Sequence, residues 1–196
     1  RVFRLANART NAAGLSKVLK RQLPPGTAYL NVGHSNLTKT ILDAVHEVAG
    51  ATVAVMVHDA IPLDFPQFQR AGTVKAFEDK LRVVGATADL IIFNSHATRQ
   101  DVERYFEDWH SRTPPSVIAH LGVDAVAPDA GNIPTELDIQ NPYFVTIGTI
   151  EPRKNHTLLL DVWETLTRKP NPPRLFVIGA RGWNNADVFR RLNDRP

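Results

Sequence analysis

Strands and helices alternate along this chain, and that alternation narrows its fold more than any other feature. "TAYLNVG" (Thr27–Gly33) reads as a strand. "SNLTKTILDAVHEVAG" (Ser35–Gly50) reads as a helix: Leu37, Ile41, Leu42, Val45 and Val48 share a face, Ser35 can cap the start and Gly50 can end it. "TVAVMVHD" (Thr52–Asp59) is almost continuously apolar, as a strand must be when both of its faces are covered. A helix follows from Gln67 to Ala86. A buried strand runs from Asp89 to Asn94, a Ser95-capped helix comes next, and a shorter strand spans Ser116–Gly122. Such alternation predicts an α/β fold: a Rossmann-like parallel sheet with helices on both faces.

Right-handed crossovers then bring every loop after a strand to one sheet edge, where ligands of open α/β sheets bind. That edge should collect His34, the His58–Asp59 pair, Asn94, Ser95 and His96, and Asp124 after Gly122. His58 and Asp59 are the strongest candidates, because "VHDAIPLDFPQFQRAG" (Val57–Gly72) holds two prolines that fix a non-helical loop. An imidazole there can bond a substrate hydroxyl, with Asp59 orienting it. The plainer alternative is that His58 pairs with a backbone group where the sheet ends.

Between Ala125 and Pro142 all periodicity fails, and three prolines interrupt a polar run. A second strand–helix–strand unit then begins. We place one domain at residues 1–130, a linker at 131–141 and the start of a second domain at 142–196. The abrupt beginning and end suggest an internal piece of a longer protein.

The second unit opens with "YFVTIGTIEPRKNHTLLLDVWETL" (Tyr143–Leu166). Gly148 closes a strand and permits close approach of a ligand to the backbone. The next helix offers unpaired N–H groups and a partial positive charge, which suit phosphate. Arg153 and Lys154 add two full charges, one a fork and one a mobile point. Asn155 can cap the helix. The plainer reading is a solvated cation pair with Glu151 as its partner. In "VIGARGWNN", Trp183 reads as loop packing rather than a ligand-facing ring.

Charge and composition exclude several classes. Lys and Arg number 23 against 20 Asp and Glu, a net +3. That suits an anionic small molecule or membrane surface, and no long basic run points to nucleic acid. With no cysteine, disulfides, thiolate metal sites and cysteine nucleophiles are impossible, and a reducing compartment fits. No apolar run reaches the ~20 residues of a membrane span, and the first residues do not read as a signal peptide. We find no paired-histidine metal spacing, no Asp-x-Asp, no Gly-x-Gly-x-x-Gly, no phosphate loop and no Gly-x-Ser-x-Gly elbow.

"VTIGTIEPRKNHTLLLDVWETL" resembles the start of the C-terminal domain of GT-B glycosyltransferases of family 4. "VHDAIPLDFPQFQRAG", "LIIFNSHATRQDV" and "HLGVD" resemble, in order, the later N-terminal domain of those enzymes, above all the bacterial mannosyltransferase-like members. The resemblance implies a two-domain architecture with donor and acceptor meeting in a cleft. It also implies retaining, metal-independent hexosyl transfer, with mannose the candidate sugar, in polysaccharide or O-antigen synthesis. The donor would be a nucleotide-diphosphate sugar, with GDP-mannose as candidate, and no further cofactor is implied. The acceptor would be a saccharide or a lipid-linked saccharide. Gly148, Arg153 and Lys154 would hold the donor diphosphate, His58 would contact the transferred sugar, and Asp59 would lie near the acceptor. Asn94, Ser95 and Asp124 would line the cleft.

The implied setting is cytoplasmic, at the inner face of the membrane where the acceptor is lipid-linked. The family's glycine-rich N-terminal loop and its Glu-x7-Glu segment do not occur in these residues, so the 196 residues alone are expected to be inactive. Two other classes fit parts of the sequence: a catalytically dead phosphate- or partner-binding module, and a sugar epimerase or isomerase of related fold.

Overall fold

The computed structural model describes residues 8–33, 35–129, 131, 133–134, 137 and 139–194. The chain divides into two compact units, Arg1–Val123 and Asp124–Pro196.

The first unit is a four-stranded parallel sheet flanked by helices. Its strands β1 (Ala28–Asn31), β2 (Thr52–Val57), β3 (Leu90–Phe93) and β4 (Ser116–Ile118) lie side by side in chain order. Helix α1 (Leu15–Gln22) precedes them. Helices α2 (Lys39–His46), α4 (Thr73–Thr87) and α5 (His96–Asp108) connect them, and a short α3 (Ile61–Asp64) lies in the loop after β2. The expected α/β class with a Rossmann-like parallel sheet is borne out.

Alternation along the strands sorts the side chains by face. Val53, Val55, Val57, Ile91 and Phe93 pack with Leu42, Val84, Val102 and Phe106 of the helices into one core. The alternate positions put Leu30 and Val117 on the other face, where both are exposed. Of the expected stripe, Leu42 and Val45 are buried on α2 and Ile41 is half-buried there, while Leu37 and Val48 are buried on either side of a helix that ends at His46 rather than Gly50.

Several boundaries differ from expectation, each for a local reason. Asn36 takes the left-handed conformation, so Ser35 cannot start α2. Thr38 caps it instead, accepting the Ile41 N–H at 3.4 Å. The Val57–Gly72 loop is not free of helix. Pro62 sits in the first turn of α3 and Pro66 opens a 3-10 turn to Phe68, positions where a missing N–H costs nothing. Helix α4 therefore begins only after Gly72, at φ 80°. Strand β4 is three residues long rather than seven, and α1 was not anticipated.

Asp89, just before β3, ties the lower edge together. Its Oδ2 accepts the Val53 N–H at 2.7 Å and lies 2.8 Å from His46 Nε2. Partial burial alone would raise its pKa. The His46 and Val53 hydrogen bonds and the nearby charges of His46 and Arg112 outweigh that and hold it below the usual aspartate range. A depressed carboxylate stabilises the fold above its unfolded pKa of ~3.9 and loses that contribution as pH falls through the lower folded value. Asp89→Asn should therefore melt below the wild type at neutral pH. The gap should close under acid below about pH 4, which melting curves across pH will show.

The second unit holds a parallel pair, β5 (Tyr143–Ile147) and β6 (Arg174–Ile178), with α6 (His156–Leu166) and α7 (Ala186–Asn193). Ile150, Leu160, Val188 and Phe189 form its core. Tyr143, Phe144, Val145 and Ile147 of β5 are all exposed. Among the described residues, no α-helix or β-strand falls between Ile118 and Tyr143. No helix among them is long and apolar enough to cross a membrane.

Candidate functional site

At the upper edge of the first sheet, β2 ends and His58 and Asp59 part company. His58 Nε2 lies 2.8 Å from the Val32 carbonyl beyond β1, the backbone pairing foreseen as the plainer alternative. Asp59 Oδ1 accepts the N–H of Ile61, the first residue of α3, at 3.1 Å. The loop that carries them is anchored again at Asp64, whose Oδ1 accepts from Arg104 (2.7 Å) and Tyr105 (2.8 Å) of α5. Burial and the Asp64 carboxylate push the Tyr105 hydroxyl above its ordinary pKa, so it stays a donor.

Asn94 and Ser95 follow β3 as expected. Ser95 caps α5 by accepting the Thr98 N–H at 3.1 Å. The Thr98 hydroxyl, buried, lies 2.9 Å from Asn94 Oδ1 and 3.1 Å from the His58 carbonyl. The Asn94 carbonyl in turn meets His120 Nδ1 at 3.0 Å. The loops after β2, β3 and β4 are thus laced into one edge. Thr98 is the hub that the sequence reading passes over; its signal was a hydroxyl three residues after a helix cap. Asp124 is exposed and belongs to the second unit, and His34 lies outside the described residues.

In the second unit, β5 closes at Gly148 with φ 137°, a conformation that favours glycine. The two strand-end loops stay zipped beyond the sheet: Gly148 N–H donates to Ile178 O (2.9 Å), Ile150 to Ala180 O (3.0 Å) and Gly182 to Ile150 O (3.1 Å). A Cβ on Gly179 would fall 1.9 Å from the Gly148 carbonyl oxygen, so backbone touches backbone there. Pro152–Lys154 then make one 3-10 turn. Asn155, left-handed at φ 50°, caps α6 by accepting the Leu158 N–H at 3.4 Å.

The two cations differ. Arg153 Nη2 is bound at 2.7 Å to Oε1 of Glu151, whose side chain is only 8% exposed. Lys154 is exposed and makes no ion pair or hydrogen bond among the described residues. Its Nζ lies over the Gly148 backbone, 3.7 Å from where a Cβ would stand. His156, the first residue of α6, is buried, and its Nδ1 has no hydrogen-bond partner among the described residues. It was not anticipated, although its place directly after the cap is visible in "RKNH". Among the described residues no three His, Asp or Glu side chains gather as a metal site.

No protein-family model matches the chain. Three curated relatives do, each a "serotype-specific mannosyltransferase WbdA" from Escherichia coli. The first is 30% identical over 160 residues, which is 76% of this chain and 20% of the relative. Another is 29% identical over the same extent. The chain thus spans about a fifth of the length of these relatives. The match is longer than either compact unit, so it runs through both. The likeness to family 4 glycosyltransferases carried by the motifs is borne out: this chain is similar, along most of its length, to a segment of bacterial mannosyltransferases.

Proposed function

We propose that the protein is a glycosyltransferase that moves a hexose from a nucleotide-diphosphate sugar to a saccharide or lipid-linked acceptor. Mannose is the candidate sugar and GDP-mannose the candidate donor. The observation that carries this reading is Lys154, an ammonium with no ion pair among the described residues that lies over Gly148 at a strand end, in a chain whose relatives are named mannosyltransferases. Residues 142–196 begin the donor-binding domain in this reading, and residues 1–130 supply most of the acceptor side.

The chemistry follows from charge. Breaking the sugar–phosphate bond leaves the nucleoside diphosphate with growing negative charge. Preorganised cations and helix N–H groups stabilise that charge without waiting for solvent to reorganise. Lys154 acts as the mobile point charge. Arg153 has five N–H donors, and Glu151 engages the guanidinium at Nη2, so the remaining donors can grip phosphate oxygens in a fixed orientation. Glu151 is thus a positioning residue. His58, anchored by the Val32 carbonyl, presents its ring to the transferred sugar. Asp59 offers the oxygen not held by Ile61 to an acceptor hydroxyl, with Asn94 and Ser95 lining the approach. Transfer proceeds with retention by front-side substitution, with no protein nucleophile and no metal, in the cytoplasm. A lipid-linked acceptor would bring the enzyme to the inner membrane face.

Calorimetry on the full-length product tests this. GDP-mannose, or another single nucleotide-sugar of a GDP, UDP, ADP and dTDP panel, should bind selectively. Lys154→Ala should weaken it by ~1.5–3 kcal/mol, as for a lost charge-assisted bond. Equal binding by wild type and Lys154→Ala would reduce the cation loop to surface. Tight binding with no sugar transfer would favour a dead binding module.

A further inference from the structure

Helix α4 carries a lysine where its apolar face should continue. Phe77, Leu81 and Val84 turn inward, with Leu81 and Val84 fully buried, and Lys80 lies between them on the same stripe. This face lines a cavity of about 470 Å³, within the ~300–1,000 Å³ range of small-molecule sites. The opposite walls come from Leu37, Met56 and Pro62, so the lining is mostly hydrocarbon.

The neighbouring acids on α4 are already engaged. Glu78 pairs with Arg82 at 2.8 Å, and Asp79 pairs with Lys75. Lys80 is half-buried and makes no ion pair or hydrogen bond among the described residues. The other charged residue of the lining is Asp59, and its Oδ1 holds the Ile61 N–H. A half-buried ammonium in an apolar wall is poorly solvated and attracts an anion more strongly than a surface lysine does. We propose that this cavity binds an apolar organic anion, a phosphate monoester or carboxylate on a hydrocarbon body, with the anionic group on Lys80. The carboxylate of Asp59 requires a hydroxyl or other hydrogen donor, not a second anion, at its end of the ligand. The inference goes beyond the transferase reading: the cavity shares Asp59 with it, but the anion site is Lys80, which that reading does not use.

Met56 is the only methionine of the chain and lines the cavity. A carbon-13 label on its methyl therefore gives one NMR signal that reports occupancy. Octyl phosphate, octanoate and neutral octanol are titrated into the protein. Both anions should shift the signal saturably, and the tighter of the two identifies the head group. Lys80→Met should weaken the anions at least tenfold while octanol changes less than twofold. Lys80→Arg should keep the preference for anions, and Ala76→Trp, at the cavity rim, should block all three probes. The exposed-lysine control Lys17→Met should bind like the wild type, and so should Lys154→Ala. Saturable binding unchanged in a folded Lys80→Met protein would overturn the proposal. So would the absence of any shift in the wild type.

Discussion

Gly179→Ala should destabilise the second unit by about 3 kcal/mol, the upper range for forcing atoms into a packed site. The reason is the nature of the obstacle. The new Cβ would stand 1.9 Å from the Gly148 carbonyl oxygen and 2.7 Å from its carbon. Both are backbone atoms, and neither can swing aside as a side-chain tip can. Gly148 is itself held by its N–H bond to Ile178, so relief requires the two strand-end loops to separate. Trp163, buried in this unit, makes its unfolding visible by fluorescence. Under the proposed function, nucleotide-sugar binding should fall with stability, because the displaced loop carries Arg153 and Lys154. Gly122→Ala is the control: a Cβ there meets nothing within 4 Å and the melting temperature should hold. An unchanged unfolding midpoint in Gly179→Ala would contradict the backbone contact.

Phe106→Ala should cost the first unit about 3–5 kcal/mol in urea unfolding, as for deletion of a fully buried aromatic. The ring is 0% exposed and belongs to the single core beneath the sheet. A domain's whole stability is roughly 5–15 kcal/mol, so the variant is marginal. The site also predicts a coupling. A methyl on Gly85 of α4 would meet the Phe106 ring at 2.9 Å. With the ring gone that methyl enters a void and gains helix propensity. Gly85→Ala should therefore be more favourable in the Phe106→Ala background than in the wild type. Additive effects of the two changes would mean that α4 and α5 do not meet there.

The fold was largely legible because apolar periodicity reports which faces are covered. "TVAVMV" could only be an interior strand, and it is β2. Boundaries were less legible where two capping residues compete. Ser35 and Thr38 both precede apolar positions, and only the left-handed turn at Asn36 decides between them. Pro62 and Pro66 were read as breaking helix, yet each occupies a first-turn position, where proline is tolerated. For the site, topology placed His58, Asn94 and Ser95 at one edge, because that follows from the crossovers. Side-chain direction does not follow from topology. Nothing in the order of residues says that His58 turns to Val32 while Asp59 turns to Ile61. The Glu151–Arg153 pair was foreseeable from their spacing, whereas the unpartnered nitrogen of His156 depends on packing that no short motif records.

The glycine contact between the two strand-end loops also bears on how such a protein can change over generations. Gly148 and Gly179 hold the path of the chain through backbone alone, so the loop's course owes little to the side chains it displays. Lys154, which makes no ion pair among the described residues, can then be exchanged or lost while the chain keeps its path, whereas Arg153 is tied to the buried Glu151. Variation is cheap at that position, and the two glycines form the fixed frame on which it can be tried.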